Sequence, residues 1–284
     1  MDTNAIAIKG LTKRYKDFAL EDLTLNLPYG CVLGLVGENG AGKSTTIRLI
    51  MDAVSRDAGT VEVLGADNQG PDFLRVKEDV GVVLDETFFP EVLTAVQVGK
   101  IMADTYKNWD REIYEGWLQR LGLPEKKKLK DYSRGMTMKL GIAAALSHHP
   151  RLLLLDEATG GLDPMVREEL LEVFADFASE DGHAVLLSSH IVSDLERICD
   201  YIAFLHRGRL VLCEEKDVLL DTYGILKCTR EQLSNIPEEA IHGKRVGAYG
   251  AEALVERKLI PRGLTVDRAN LEDIILYLVK EEKQ

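Results

Sequence analysis

The chain has 284 residues, of which 45% are hydrophobic, and this length and composition predict a folded protein of about two domains. Its net charge of -12 argues against nucleic acid as a partner, because binding to phosphate backbones requires lysine and arginine concentrated on one face. No apolar run reaches the roughly 20 residues that cross a bilayer, and the N-terminal residues do not resemble a signal peptide. We therefore expect a cytoplasmic protein that reaches the inner face of the membrane only through a partner.

The predicted elements alternate between strands and helices. Residues 6–36 form short alternating strands with turns between them and end in an apolar run that is typical of a strand buried on both faces. Helical periodicity follows over residues 43–51. Further strands are predicted at residues 80–84, 152–155, 184–188 and 201–205. The pattern predicts an α/β fold with a mostly parallel core sheet.

Two segments interrupt this alternation. Between residues 87 and 150 only amphipathic helical patterns are found, including residues 109–121 and 136–146, which predicts a helical subdomain inserted between two core strands. Beyond Leu212 the pattern is irregular, with several glycines, and it closes on an amphipathic helix at residues 271–279. We predict a small C-terminal appendage of mixed α and β structure at residues 217–284.

A phosphate-binding motif lies on the first predicted strand-to-helix turn. Residues 37–45 read Gly-Glu-Asn-Gly-Ala-Gly-Lys-Ser-Thr and satisfy G-x-x-x-x-G-K-[ST] in full. Its glycines let backbone N–H groups close around phosphates, Lys43 reaches the β- and γ-phosphates, and Ser44 offers a hydroxyl to Mg²⁺. The predicted nucleotide-binding residues of this loop are Gly37, Asn39, Gly40, Ala41, Gly42, Lys43, Ser44 and Thr45.

Two adjacent carboxylates end the predicted strand at residues 152–155. Asp156 suits the coordination of Mg²⁺, and Glu157 suits orienting or deprotonating an attacking water. Ligands of α/β folds bind at this end of the strands. Taken alone, the pair is equally compatible with the start of a solvated turn.

In this order the motifs resemble those of the ATP-binding cassette (ABC) ATPases, the nucleotide-binding subunits of ABC transporters. Residues 132–136 match the family signature LSGGQ at Ser133 and Gly135. Residues 161–163 are similar to the D-loop, and residues 188–190 are similar to the segment that carries the switch histidine. Tyr15 stands where the family has an aromatic residue that stacks on adenine. The resemblance covers about residues 4–216.

The resemblance implies an ABC-type P-loop NTPase domain at residues 1–216 with an N-terminal antiparallel β part. It implies that ATP and Mg²⁺ bind between two nucleotide-binding subunits, in a homodimer or a heterodimer, with Ser133 and Gly135 contacting the γ-phosphate across the interface. Asp163 would couple the two sites. Lys43, Glu157 and His190 would carry catalysis, although His190 in isolation could be a core histidine.

The sequence departs from the family pattern at several positions. Asp85, followed by Glu86, stands where the family usually has Gln after the strand at residues 80–84. The Asp85 carboxylate could join Ser44 and Asp156 around Mg²⁺, but it adds negative charge beside the phosphates, so we expect slower or more partner-dependent hydrolysis. Arg134 replaces the second signature residue and is expected to reach a phosphate or carboxylate of the opposite subunit, or to be a solvated surface residue.

The leading hypothesis is an energy-coupling subunit of a bacterial exporter, most like those of antibiotic resistance and bacteriocin export. A permease on a separate chain would supply the membrane helices and contact the helical subdomain at residues 87–130. Two alternatives stay open, namely an ABC ATPase that acts on ribosomes or DNA and a nucleotide-binding regulator that hardly hydrolyses ATP.

Two further features are interpreted as structural. The basic stretch at residues 126–130 is interpreted as a solvated loop, with an anionic partner as the alternative. The cysteines have no metal-binding spacing and are interpreted as small buried hydrophobic residues; they are Cys31, Cys199, Cys213 and Cys228.

Overall fold

The computed structural model describes residues 3–85, 89–247 and 250–281. The strands are β1 (Asn4–Arg14), β2 (Ala19–Pro28), β3 (Val32–Val36), β4 (Ala58–Val63), β5 (Ala66–Asp67), β6 (Val80–Val83), β7 (Leu152–Asp156), β8 (Ala184–Ser189), β9 (Tyr201–His206), β10 (Arg209–Glu215), β11 (Tyr223–Cys228), β12 (Ile241–Val246), β13 (Ala251–Glu256) and β14 (Val266–Arg268). The α-helices are α1 (Lys43–Ile50), α2 (Phe73–Val76), α3 (Ala95–Thr105), α4 (Arg111–Arg120), α5 (Arg134–Leu146), α6 (Pro164–Ser179), α7 (Val192–Ile198), α8 (Lys216–Thr222), α9 (Arg230–Ser234) and α10 (Leu271–Glu281).

The central sheet consists of apolar strands that are buried on both faces. Its strand order is β10-β9-β3-β8-β7-β6, and its neighbours are parallel except for the antiparallel edge strand β10. Every residue of β3, β7 and β8 is buried, because α1 covers one face and α5 and α6 cover the other. The four predicted core strands after α1 are confirmed. Each begins at the predicted residue and ends within one residue of the predicted end.

A second, antiparallel sheet precedes and flanks α1. Its order is β2-β1-β4-β5, as the predicted antiparallel N-terminal part requires. Leu23, Leu25 and Leu27 of β2 are buried and alternate with exposed polar residues, which gives this sheet one apolar face. That face shares a hydrophobic cluster with α1 and the central sheet, so α1 is packed against both sheets.

The helical segment lies between β6 and β7. Within residues 89–150 the structure has α3, α4 and α5 and no strand beyond an isolated bridge between Thr94 and Lys128. Thr94 forms a capping box with Gln97 at the start of α3, and Asp110 caps α4. The Tyr114 hydroxyl donates to the carbonyl oxygen of Ala95 at 2.9 Å and joins the two helices. The predicted start of this segment at Thr87 lies outside the described residues.

The irregular pattern beyond Leu212 forms a third sheet. Its order is β12-β13-β11-β14, all antiparallel, and α10 packs on β12 and β13 through a buried stripe. The stripe consists of Leu271, Ile274 and Tyr277. Helix α10 also contacts α7 of the preceding part of the chain. Across the described residues, no helix has the length and apolar character needed to span a bilayer.

The prediction for the cysteines is confirmed at one position and wrong at three. Cys199 is buried, and this burial raises the pKa of its thiol. Cys31, Cys213 and Cys228 are only half-buried. Cys31 precedes β3, Cys213 lies on the edge strand β10, and Cys228 is the last residue of β11.

Candidate active site

The loop at residues 37–45 joins β3 to α1. Gly40 and Gly42 have φ values of 82° and 114°, a left-handed region that favours glycine. At Gly37 a side chain is excluded by steric crowding, because a Cβ there would lie 2.4 Å from the carbonyl oxygen of Leu205. Since the first N–H groups of a helix lack intrahelical partners, the end of this loop offers donors to an anion.

The loop has a buried base and an exposed tip that consists of Glu38, Asn39 and Gly40. Ala41 is buried in the base, where its N–H donates to the carbonyl oxygen of Glu38 at 3.0 Å and its own carbonyl accepts from Gly208 at 3.0 Å. Ser44 and Thr45 follow as half-buried residues in the first turn of α1. These two hydrogen bonds hold the backbone of the base.

The ammonium group of Lys43 lies at the centre of the site. It is buried and donates to the carbonyl oxygen of Gly37 at 2.7 Å and, more weakly, to that of Glu38 at 3.4 Å. It also lies 3.3 Å from Oε1 of Glu157. The loop lysine and the carboxylate at the end of β7 are thus brought together, as the sequence predicts.

Glu157 connects Lys43 to His190. Its second oxygen, Oε2, lies 2.6 Å from Nδ1 of His190 and accepts the His190 backbone N–H at 3.3 Å. The Glu157 side chain is mostly buried, whereas that of His190 is exposed. His190 is therefore not a core histidine, since it lies at the rim of the site and orients the glutamate.

Asp156 is buried beside Glu157 and is held by Ser188. The Ser188 hydroxyl donates to Oδ1 of Asp156 at 2.5 Å. In the sequence Ser188 is only part of the segment that contains His190, and no motif assigns it a role. The signal that identifies it is its register position, directly opposite Asp156 on the neighbouring strand.

The signature residues lie at the start of α5. Ser133 is the N-cap, and its hydroxyl accepts from the N–H of Met136 at 3.2 Å. A Cβ at Gly135 would lie 3.1 Å from the carbonyl oxygen of Gly161. The signature therefore packs closely against the segment at residues 161–163 of the same chain. Asp163 of that segment caps α6, where Oδ1 accepts from the N–H of Val166 at 3.1 Å.

Asp85 and Arg134 form an ion pair within the subunit, although both side chains are substantially exposed. The contact within the chain was not predicted, and the expected contact of Arg134 with the opposite subunit stays a prediction. The partner of Arg134 in the structure is a carboxylate of its own chain, because the end of β6 and the start of α5 are neighbours in the fold. Glu86, which follows Asp85, lies outside the described residues.

Tyr15 is an exposed aromatic residue near the loop. Its ring centroid lies 6.3 Å from that of Phe18, and Lys13 Nζ lies 5.7 Å from the Tyr15 centroid. Phe18 in turn packs at Gly42, where a Cβ would lie 3.1 Å from the Phe18 ring. The aromatic pair is thus adjacent to the phosphate loop.

The predicted residues fall into two groups in space. Lys43, Asp156, Glu157 and His190 lie at the carboxyl ends of β3, β7 and β8, which a parallel sheet places at one edge. Ser133 and Gly135 lie at the start of α5, and in the described ranges no hydrogen bond or ion pair links them to the phosphate loop.

Comparison with known proteins identifies the family. A family model described as ABC transporter matches residues 20–160. A lantibiotic transport ATP-binding protein of Streptococcus pyogenes is 34% identical over 215 residues, which are 75% of this chain and 91% of that protein. The chain belongs to the ATP-binding proteins of ABC transporters. A linearmycin resistance ATP-binding protein of Bacillus subtilis is 30% identical over 280 residues, 96% of this chain and 88% of that protein.

Solved structures agree with the fold of this ABC ATPase. An ATP-binding subunit of an ABC transporter has 30% sequence identity and a TM-score of 0.67, covering 75% of this chain and 90% of that one. A dimeric ATP-binding cassette in a post-hydrolysis state with ADP and Pi has the same TM-score at 24% identity, covering 74% and 98%. The predicted fold class and family are confirmed, and the chain is an ATP-hydrolysing subunit of a transporter.

Proposed function

We propose that this ABC ATPase powers an exporter of antimicrobial peptides or related antibiotics through a permease on a separate chain. The names of the relatives support this substrate class, because they include lantibiotic transport, bacitracin transport and linearmycin resistance. The chain would attach through that permease to the inner face of the membrane, with its helical segment as the contact. No nucleic acid partner is proposed, since the net charge is -12.

The observation that carries the proposed chemistry is the contact of Glu157 with both Lys43 and His190. Lys43 marks the position of the β- and γ-phosphates in a loop of this kind. Glu157 lies within 3.3 Å of that ammonium, which supports a role as the group that accepts a proton from a water that attacks the γ-phosphorus. His190 holds the second carboxylate oxygen and would contact the transferred phosphoryl group.

The residues around α1 suit Mg²⁺. Ser44 and Asp156 are hard oxygen ligands of the kind that Mg²⁺ prefers, and the phosphates of the nucleotide supply further ligands. In the described part of the chain, no group of three or more histidine, cysteine or carboxylate side chains forms a protein-only metal site. Mg²⁺ would neutralise charge on the β- and γ-phosphate oxygens. Asp85 would join these Mg²⁺ ligands only if its ion pair with Arg134 were broken.

The complete site requires two subunits. Among the described residues no hydrogen bond or ion pair joins Ser133, Gly135 or Asp163 to the phosphate loop, and we assign them to the nucleotide of a partner subunit, identical or unlike. Tyr15 would stack on the adenine. We further propose that residues 1–216 form the nucleotide-binding domain and residues 217–284 an appendage built on β11 to β14.

The transport proposal is tested in cells. Cells that express the chain with its permease should grow at a higher concentration of a lantibiotic or bacitracin than cells that express Lys43→Ala with the same permease. Equal sensitivity of the two strains to every such compound, with both proteins present in the membrane fraction, would reject export of this substrate class.

A further inference from the structure

Ser188 contacts both carboxylate residues of the site. It is fully buried at the end of β8, and its hydroxyl donates to Oδ1 of Asp156 at 2.5 Å. The same hydroxyl accepts the backbone N–H of Glu157 at 3.2 Å, and the Ser188 carbonyl accepts that N–H at 3.0 Å. One serine therefore holds the side chain of the first carboxylate residue and the backbone of the second.

The backbone of Glu157 needs such support. Its φ of 52° lies in the left-handed region, which is unfavourable for a residue with a side chain and persists where surrounding contacts maintain it. Both oxygens of Ser188 lie at the Glu157 N–H and anchor this turn. From this conformation the Glu157 side chain reaches Lys43 and His190.

The sheet directs Ser188 toward α1. Ser188 is in register with Asp156, and such partners on parallel strands point to the same face. Two residues earlier on each strand, Leu154 and Leu186 belong to the hydrophobic cluster that contains α1. Ser189 is equally buried but points to the opposite face, where its hydroxyl accepts the N–H of Ile191 at 3.0 Å. The two serines are thus equally buried, but only the Ser188 hydroxyl contacts the carboxylate residues of the site.

We propose that Ser188 is a positioning residue for the reaction, fixing the Asp156 carboxylate toward the first turn of α1 and holding Glu157 in its turn. This inference rests on the proposed function of the site. A hydroxyl that donates to a carboxylate makes a short, charge-assisted hydrogen bond. Rotation of the Asp156 carboxylate would break it, so the carboxylate keeps one orientation for the cation.

The test compares Ser188→Ala, Ser188→Thr and Ser189→Ala in the full chain. Loss of a hydrogen bond to a metal ligand typically weakens metal binding about 10- to 100-fold. Ser188→Ala should therefore raise by that factor the Mg²⁺ concentration that half-saturates the chain in the presence of ADP. ADP affinity in EDTA should stay at the wild-type value, since the phosphate loop is unchanged. Ser188→Thr keeps the hydroxyl and should retain the wild-type Mg²⁺ requirement, as should the control Ser189→Ala.

An unchanged Mg²⁺ requirement in Ser188→Ala, or an equal increase in Ser189→Ala, would overturn the assignment. Thermal unfolding is followed for each variant. If Ser188→Ala does not fold, Ser188→Cys takes its place, because the thiol keeps the volume and is a weaker donor. If Mg²⁺ has no effect on ADP binding by the wild-type chain, then the proposed function of the site fails and not the role of Ser188 alone.

Discussion

At the scale of single residues, Glu157 decides whether the site can hydrolyse ATP. Glu157→Gln keeps the shape of the side chain but cannot accept the proton of the attacking water. We expect steady-state turnover to fall by about 100- to 10,000-fold, the usual contribution of a general base. ATP should then hold the variant as a dimer in size-exclusion chromatography, because the nucleotide is bound and not consumed.

Glu115→Gln is the matched control for this substitution. Glu115 is exposed on α4 and pairs with Arg111, away from the phosphate loop. Its turnover should equal that of the wild type. If Glu157→Gln also turns over at the wild-type rate, then another group accepts the proton and the assignment is wrong.

Alanine substitutions at two glycines of the phosphate loop distinguish the effect of steric crowding from the effect of backbone strain. An alanine Cβ at Gly37 would lie 2.4 Å from the backbone oxygen of Leu205, whereas at Gly40 it would meet nothing within 4 Å. Gly37→Ala should lower the free energy of unfolding by about 1–3 kcal/mol through overpacking and weaken ATP binding. Gly40→Ala should cost about 1–2 kcal/mol through its positive φ alone.

Thermal unfolding and ATP titration measure both effects on the two variants. The expected order is a larger loss of ATP affinity for Gly37→Ala, because the backbone of the loop base must move away from Leu205. Equal ATP affinities of the two variants would show that the contact with Leu205 does not shape the phosphate loop.

At the scale of elements, the ion pair of Asp85 and Arg134 joins the end of β6 to the start of α5. Both residues depart from the family pattern, and the structure makes them partners. Because each single substitution breaks the same contact, Asp85→Gln and Arg134→Gln should change ATP turnover in the same direction, and the double variant should change it no further. A double-mutant cycle on kcat, with ATP affinity measured in parallel, tests this.

Glu78 and Lys107 provide the matched control, since they form another ion pair outside the site, in which Lys107 is exposed and Glu78 is half-buried. Their glutamine variants should leave turnover unchanged. Exposed pairs contribute about 0–1 kcal/mol to stability, so neither pair should alter the unfolding temperature much. Additive effects of Asp85→Gln and Arg134→Gln would mean that the two residues act independently.

The same elements show what the sequence could predict. Strands β6 to β9 were predictable because they are continuous apolar runs with both faces buried. Strands β11 to β14 were not, because these strands are short and their apolar and polar residues do not alternate regularly.

At the site, the contiguous motifs identified the loop and the carboxylates, since their spacing in the chain is itself the signal. Contacts that depend on strand register or on helix placement were not predictable in this way. Ser188 lies 32 residues from Asp156 along the chain, and Arg134 lies 49 residues from Asp85. Only the folded sheet and the position of α5 bring these pairs together.

At the scale of the whole molecule, we predict that two chains share each site, since within the described residues Ser133 makes no hydrogen bond or ion pair with the phosphate loop. A mixture of a Lys43→Ala chain and a Ser133 variant should contain dimers with one intact composite site and one that lacks both groups. Because Ser133 also caps α5, Ser133→Asn is the suitable variant, since asparagine keeps the cap while it replaces the hydroxyl.

We expect the mixture to bind ATP and hydrolyse it at a rate that neither variant reaches alone, because the intact site takes Lys43 from one chain and Ser133 from the other. The measurement is ATP occupancy and turnover over a range of mixing ratios at fixed total protein. A composite site predicts a maximum near equal amounts of the two chains. Occupancy and turnover that follow the sum of the two separate variants at every ratio would show that each chain holds its nucleotide without the signature of a partner.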